Sequence, residues 1–481
     1  MLKRYIGDRA FYRRVVAIAV PIIIQNAITN FVSLLDNIMV GQVGSAQMSG
    51  VSIVNNLLFI FNLCVFGANA GGGIFTAQFY GNEDQKGVRH TFRYKVMLCT
   101  LLTAVWCAVL ILADSPLISI YLQGEGDPTE AAAILGYGKD YLQVIVWGLL
   151  PFALCNAYAG TLRETGNTVV PMIGSVVAVF VNLILNFVLI FGFAGIPAMG
   201  VRGAALATVI SRFVELAIVA GWTHLHSEKC PYIKGAFRSL HVPGQLLGEI
   251  IRKGSPILLN EFLFATGLAL ANQCYSTCGL DVVPAMNINN TIWNLTSVAY
   301  IAMGNAVGII MGQMLGAGKS EEEVRSANRK LTAISVAAGI LFGGISAACS
   351  HLFPMLFNTT PEVSLLAGRL ILISAVMIPF NAYVHAAYFT LRSGGKTGIT
   401  FLFDCGFMWG LLVPLAFVLS RFTDIPIIPL YFICQCADVV KSIVGHFVVR
   451  SGVWIQNLAK LKLPSPKIIC RGGNLPPAGD Y

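Results

Sequence analysis

Long apolar runs, separated by short charged or glycine-containing breaks, recur from one end of the chain to the other. A helix needs roughly 20 apolar residues to cross a bilayer. Twelve runs approach or exceed that length, near 13–40, 50–80, 93–113, 137–162, 169–191, 203–224, 254–279, 284–315, 331–356, 363–391, 398–420 and 428–449. Short strands of a barrel would alternate apolar and polar positions, and these runs do not. The pattern predicts an all-α polytopic membrane protein of twelve transmembrane helices. Several runs are longer than a bilayer requires, so tilt, kinks or protruding ends are expected.

The pattern also repeats. A shift of 235 carries Pro21 onto Pro256, Asn37 onto Asn272, Gly44 onto Gly279 and Asn55 onto Asn290. It carries Gly73, Gln78, Gly81 and Lys95 onto Gly308, Gln313, Gly316 and Lys330. A shift of 229 then carries Leu162-Arg163 onto Leu391-Arg392, Gly166 onto Gly395 and Thr168 onto Thr397. A long repeat in so apolar a chain implies two six-helix lobes, with solute sites between or within them. The division read from the sequence is an N-terminal lobe over 1–224, a linker over 225–252, a C-terminal lobe over 253–460 and a tail over 461–481. The linker carries Lys229, Lys234, Arg238, Arg252 and Lys253, and a charged amphipathic piece on the membrane surface is one reading of it. The outer stretch 114–138, with Gly124, Gly126 and Pro128, reads as irregular, and the Pro- and Gly-rich tail as disordered.

Composition sharpens this picture. The chain is 56% apolar and 11% charged, with a mean hydropathy of +0.72 and a net charge of +9. Of the 32 Lys and Arg, 26 lie on one side of the predicted topology. That side is expected to be cytoplasmic, with both termini there, in a multi-pass protein of a bacterial plasma membrane. No basic patch interleaved with aromatics points to nucleic acid. The twelve cysteines have no metal spacing and read as small buried hydrophobes. Asn358-Thr359-Thr360 matches a glycosylation acceptor, a signal common by chance, and Gly394-Gly395-Lys396-Thr397 reads as a turn rather than a phosphate loop.

Polar residues inside the spans carry the candidate chemistry. In the first span Asn26, Asn30, Ser33 and Asn37 share one helical face, with Gln25, Thr29 and Asp36 beside it. The fifth span places Asn182 and Asn186 one turn apart, and the eighth carries Asn287, Asn290 and Asn294. Lipid cannot satisfy such faces, so they look into a bundle or a wet cavity. Acids there are costly and generally functional. Asp36 has no Lys or Arg between Arg14 and Lys86, so a proton or cation is expected to neutralise it. Glu261, near Pro256, stands at the repeat position of Asn26. Glu215 with Arg212, and Asp438 with Lys441, have the spacing of local ion pairs, while Asp404 has no local partner. His385 reads either as a titrating group or as a hydrogen-bonded interior histidine. Pro21 and Pro256 predict matching kinks beside the polar clusters.

These residues resemble a known family. Pro21 with Leu35-Asp36-Asn37-Ile38-Met39-Val40-Gly41-Gln42-Val43-Gly44 is similar to the first-span signature of the MATE (multidrug and toxic compound extrusion) transporters. Gln78-Phe79-Tyr80-Gly81, Gly160 through Thr168, Leu391-Arg392-Ser393-Gly394 and Gly203 through Thr208 resemble its other landmarks, over roughly 10–458. The resemblance implies a two-lobed antiporter that exports small organic, often cationic, solutes in exchange for Na⁺ or H⁺. No cofactor or nucleic acid partner is expected, the lipid bilayer apart, and a monomer is expected. It also implies an ion site at Asp36, Asn182, Asn186 and Thr208, which would hold Na⁺ if coupling is to sodium. Glu261 matches a seventh-span acid of some members, and Asn381 stands where others have a tenth-span acid. Gln25, Asn30 and His385 complete the candidate substrate- and ion-binding set. The alternative within the superfamily is a lipid-linked oligosaccharide flippase, which needs cationic groups in its cavity. Spans one, two, seven and eight offer no interior Lys or Arg. An intramembrane enzyme would need a nucleophile and base, or a metal cluster, near mid-membrane, and none is evident.

Overall fold

The computed structural model describes residues 5–122, 128–193, 195–357 and 359–460, without the side chains of Ser33, Leu34, Asn37 and Ile38. Gly124, Gly126, Asn358 and the tail 461–481 therefore lie outside the described residues. Among the described residues the architecture is helical. The N-terminal lobe contains α1 (Arg9–Gly41), α2 (Ser45–Gly81), α3 (Gln85–Leu112), the short α4 (Asp114–Ser119), α5 (Pro128–Ile145), α6 (Leu149–Glu164), α7 (Val169–Phe191) and α8 (Gly200–Leu225). The C-terminal lobe contains α9 (Gly244–Ser276), α10 (Val282–Gly316), α11 (Glu321–Cys349), α12 (Pro361–Ser393), α13 (Thr397–Phe407), α14 (Val413–Phe422) and α15 (Ile427–Ser451). Among the described residues, twelve spans are long and apolar enough to cross a membrane, α5–α6 and α13–α14 each forming one.

Two local readings change. The fourth span starts at Pro128, inside the stretch read as irregular. Proline at a first helical position loses no bond, because that N–H has no partner inside the helix. The inter-lobe connection is also shorter and better anchored than a 225–252 linker. It runs from 226 to 243 with one 3₁₀ turn, Pro231–Ile233, whose Tyr232 is buried. Arg93 donates to the Ala236 carbonyl (2.7 Å) and the Gly235 carbonyl (2.8 Å), and Arg89 to the Tyr232 carbonyl (3.0 Å). Side chains of α3 thus satisfy backbone groups that no helix satisfies.

Each lobe begins by packing on the other. Val15, Ile18 and Ala19 of α1 join a core with Ala302, Met303 and Ala306 of α10, in the opposite lobe. After Pro21, α1 turns its polar residues to α7 of its own lobe. The repeat does the same: Leu246 and Ile250 of α9 pack with Ile74 and Phe75 of α2, and beyond Pro256 the helix joins its own lobe at Ala271 and Tyr275. The two prolines therefore sit where each helix passes from one lobe to the other. In α13–α14, a π-helical turn over Met408–Leu412 precedes Pro414, which has no N–H to give a regular helix.

The lobes are latched at the ends of α2 and α10. A Cβ on Gly81 would lie 2.0 Å from the Gln313 carbonyl oxygen, and one on Gly316 1.9 Å from that of Gln78. Only glycine permits this approach. Buried Gln78 donates to the Ser393 carbonyl and Gln313 to the Glu164 carbonyl, each at 2.8 Å. Gln78 and Gln313 are repeat partners, as are Glu164 and Ser393, so the latch is two-fold. Arg14 adds a bond to Gln313 Oε1 (2.7 Å).

Candidate functional site

In the N-terminal lobe three helices meet around one acid. α1 contributes Asp36, α7 contributes Asn182 and Asn186, and α8 contributes Thr208. The two asparagines are one turn apart and both buried, so both face α1. Asn186 Nδ2 donates to Asp36 Oδ1 at 2.7 Å. Asp36 as a carboxylate can only accept, so the Asn182 amide turns its nitrogen to it, 3.0 Å from both oxygens, while its oxygen accepts from Thr208 (3.3 Å). No Lys or Arg forms an ion pair with Asp36 among the described residues. Arg212 acts on it only at longer range, because its guanidinium is committed to Glu215 (3.0 Å). The buried Asn186 Oδ1 has no hydrogen-bond partner among the described residues. Oxygens of a carboxylate, two amides and a hydroxyl are the donor set of a hard cation.

A second network runs beside it. Gln25 donates to Ser175 (2.7 Å), Ser175 to Glu215, and Arg212 closes it. The local Arg212–Glu215 pair read from the sequence is present. The C-terminal lobe holds the matching network with different chemistry. Asn260, the repeat partner of Gln25, donates to Asp404 (2.9 Å). Asp404 and Lys441, at the 229-residue offset from Ser175 and Arg212, form a short ion pair. Lys441 therefore serves Asp404, which had no local partner in sequence, and not Asp438 as helical spacing suggested. The pairing crosses from α13 to α15, which spacing along one helix cannot reveal.

The remaining candidates separate. Glu261 lies next to this C-lobe network, accepting from Tyr388 at 3.4 Å, and Arg392 acts on it through space. Asn381 donates to the Met377 carbonyl (3.3 Å), and His385 Nδ1 lies 2.9 Å from the Asn381 carbonyl with its ring against Tyr300. Asn381 also hydrogen-bonds Asp438 of α15, so both residues belong to the C-terminal lobe, away from the Asp36 cluster. Asn30 is exposed.

Between the lobes lies a cavity of about 120 Å³, lined by Phe66 and Asn69 of α2, Asn156 and Arg163 of α6, Asn305 of α10 and Arg392 of α12, among others. Spans one, two, seven and eight offer no interior cation, and the cations of this cavity come from spans four and ten. Arg163 and Arg392 are repeat partners at the ends of α6 and α12, a signal already visible in the repeat. Gly166 and Gly395, two residues beyond the ends of α6 and α12, have φ of +89° and +72°. That conformation favours glycine and ends both helices just past the arginines.

The comparisons follow the same outline. The MatE family model matches residues 21–188 and 256–418, one segment in each lobe. "Probable multidrug resistance protein NorM" of Thermotoga maritima is 25% identical over 448 residues, covering 92% of this chain and 93% of that protein. "Multidrug resistance protein MdtK" of Yersinia pseudotuberculosis is 23% identical over 424 residues, covering 87% and 89%. A solved structure described as the outward-facing conformation of a multidrug resistance MATE family transporter of the MOP superfamily superposes with a TM-score of 0.83. It is 17% identical and covers 93% of this chain and 97% of its own, which speaks to the fold alone.

Proposed function

The chain belongs to the MatE family, and on that footing we propose that it is a multidrug efflux antiporter, exporting small organic, often cationic, compounds in exchange for Na⁺ or H⁺. It is a transporter and not an enzyme, as its relatives are named. Those names lend nothing to the flippase alternative. The observation that carries the reading is Asp36: an intramembrane acid held by amides, with no ion-pair partner among the described residues.

An unpaired carboxylate in this setting changes its charge with the ion it binds. A proton or Na⁺ on Asp36 neutralises it and redirects the Asn182 and Asn186 amides. The same helix, before Pro21, is packed on the other lobe. Ion binding on one side of the proline thus alters the fit of α1 between the lobes, which is what alternating access requires. The latch at Gln78 and Gln313 must open in the other state, and the termini are taken to face the cytoplasm.

Proteoliposomes containing the full chain and a cationic dye, given a Na⁺ gradient and a pH gradient in separate experiments, test the reading. Dye movement against its gradient under one of them identifies the coupling ion. Movement under neither, with protein correctly inserted, rejects antiport.

A further inference from the structure

We propose that Arg163 and Arg392 form an anion-recognition site between the lobes, taking a carboxylate, sulfonate or phosphate group carried on an apolar, aromatic-sized body. Both side chains line the same cavity, one from each lobe. Each has a buried nitrogen, Nε of Arg163 and Nη1 of Arg392, with no hydrogen-bond partner among the described residues. Two guanidinium groups with unused donors in one cleft are costly without a counter-charge, and planar forks match the oxygens of such anions.

The acids nearby are already engaged. Glu164 lines the cavity, but its carboxylate pairs with fully buried Lys95. Glu215, which acts on Arg163, is paired with Arg212. Glu261 acts on Arg392 but forms no ion pair with it among the described residues, and accepts from Tyr388. The rest of the wall suits an apolar body. The Arg392 guanidinium lies over Phe66 (5.7 Å) and Phe389 (5.2 Å), rings that themselves line the cavity. Ile22 and Ile74 extend the apolar surface. Because one arginine comes from each lobe, an anion bridging them joins the lobes from inside the cleft.

The test is a binding measurement on the full chain in phosphatidylcholine nanodiscs, by equilibrium dialysis, with 2-naphthoate and its uncharged analogue 2-naphthamide. It uses no ion gradient, so it stands or falls apart from the antiport reading. Wild type should prefer naphthoate. Arg163→Gln with Arg392→Gln should weaken naphthoate by about tenfold or more, the scale of a lost charged bidentate contact, and leave naphthamide nearly unchanged. Arg163→Lys and Arg392→Lys, which keep charge and bulk but lose the fork, should fall between, and they serve if the glutamine pair does not fold. Equal binding of both probes by wild type overturns the proposal. So does an equal loss of both probes, or naphthoate binding that no variant weakens. Adding phosphatidylglycerol to the discs separates the sources. Competition with naphthoate in wild type identifies a lipid headgroup as the ligand, and its absence a free solute.

Discussion

The two lobes share their mechanics and differ in their chemistry. Both begin with a proline-containing helix that starts on the partner lobe and finishes in its own. Both carry a glycine–glutamine crossing that bonds to the opposite lobe. Both have an amide on that first helix reaching a polar group at matched positions, Gln25 to Ser175 and Asn260 to Asp404. The residues around Asp36 have no such echo. Their repeat positions are Ala271, Leu411, Leu415 and Ala437, and Ala271 lies in an apolar core against which Leu415 packs. The C-terminal lobe has acids of its own: Lys441 pairs with Asp404, while Glu261 and Asp438 form no ion pair among the described residues. Duplication preserved the parts that hold and hinge the lobes. The Asp36 cluster is present in one lobe, and apolar residues stand at its positions in the other.

The sharpest test of this contrast is Asp36→Asn. The side chain keeps its shape and most of its hydrogen bonds but can no longer carry an ion charge, so coupled efflux should vanish while the protein reaches the membrane at normal levels. Cells expressing it should retain substrate like cells with no transporter, and wild-type efflux would remove Asp36 from the mechanism. Asp404→Ala should behave in the opposite way. It strands Lys441, whose side chain is 8% exposed, and a broken buried pair costs about 3–5 kcal/mol. A markedly lower melting temperature is expected, largely restored by Asp404→Leu combined with Lys441→Met. If Asp404→Ala loses only transport, the acid is not a structural one, and a double variant that stays unfolded would assign the loss to the Asn260 bond and not to an unpaired Lys441.

A smaller and more selective effect is expected at Glu261. Glu261→Gln keeps the Tyr388 contact and removes the charge, so transport of a cationic dye should drop more than that of a matched neutral dye. Equal losses would assign Glu261 to ion coupling, and no loss would make it structural. The smallest effect should come from Gln78→Ala or Gln313→Ala. Gln78→Ala removes the bonds to the Ser393 and Gln456 carbonyls and from the Leu458 N–H, and Gln313→Ala those to the Glu164 carbonyl and from Arg14, each worth about 1 kcal/mol. The readout is faster labelling of a cysteine placed at Ser393, with a modest fall in melting temperature. If one glutamine matters and the other does not, the latch is not two-fold.

The sequence alone was enough for twelve spans and two lobes, because lipid forces long continuous apolar runs and a repeat aligns its prolines and glycines. It also singled out Asp36 and the Asn182–Asn186 pair, since polar residues one turn apart must share a face. What it misjudged depends on distances between helices. Lys441 reaches Asp404 across two spans and not Asp438 on its own, and Arg163 and Arg392 turn into one cavity from helices in different lobes. Helical periodicity says which residues share a face of one helix. Which face meets which, and so which charges are paired and which are left open, is decided only when the helices pack.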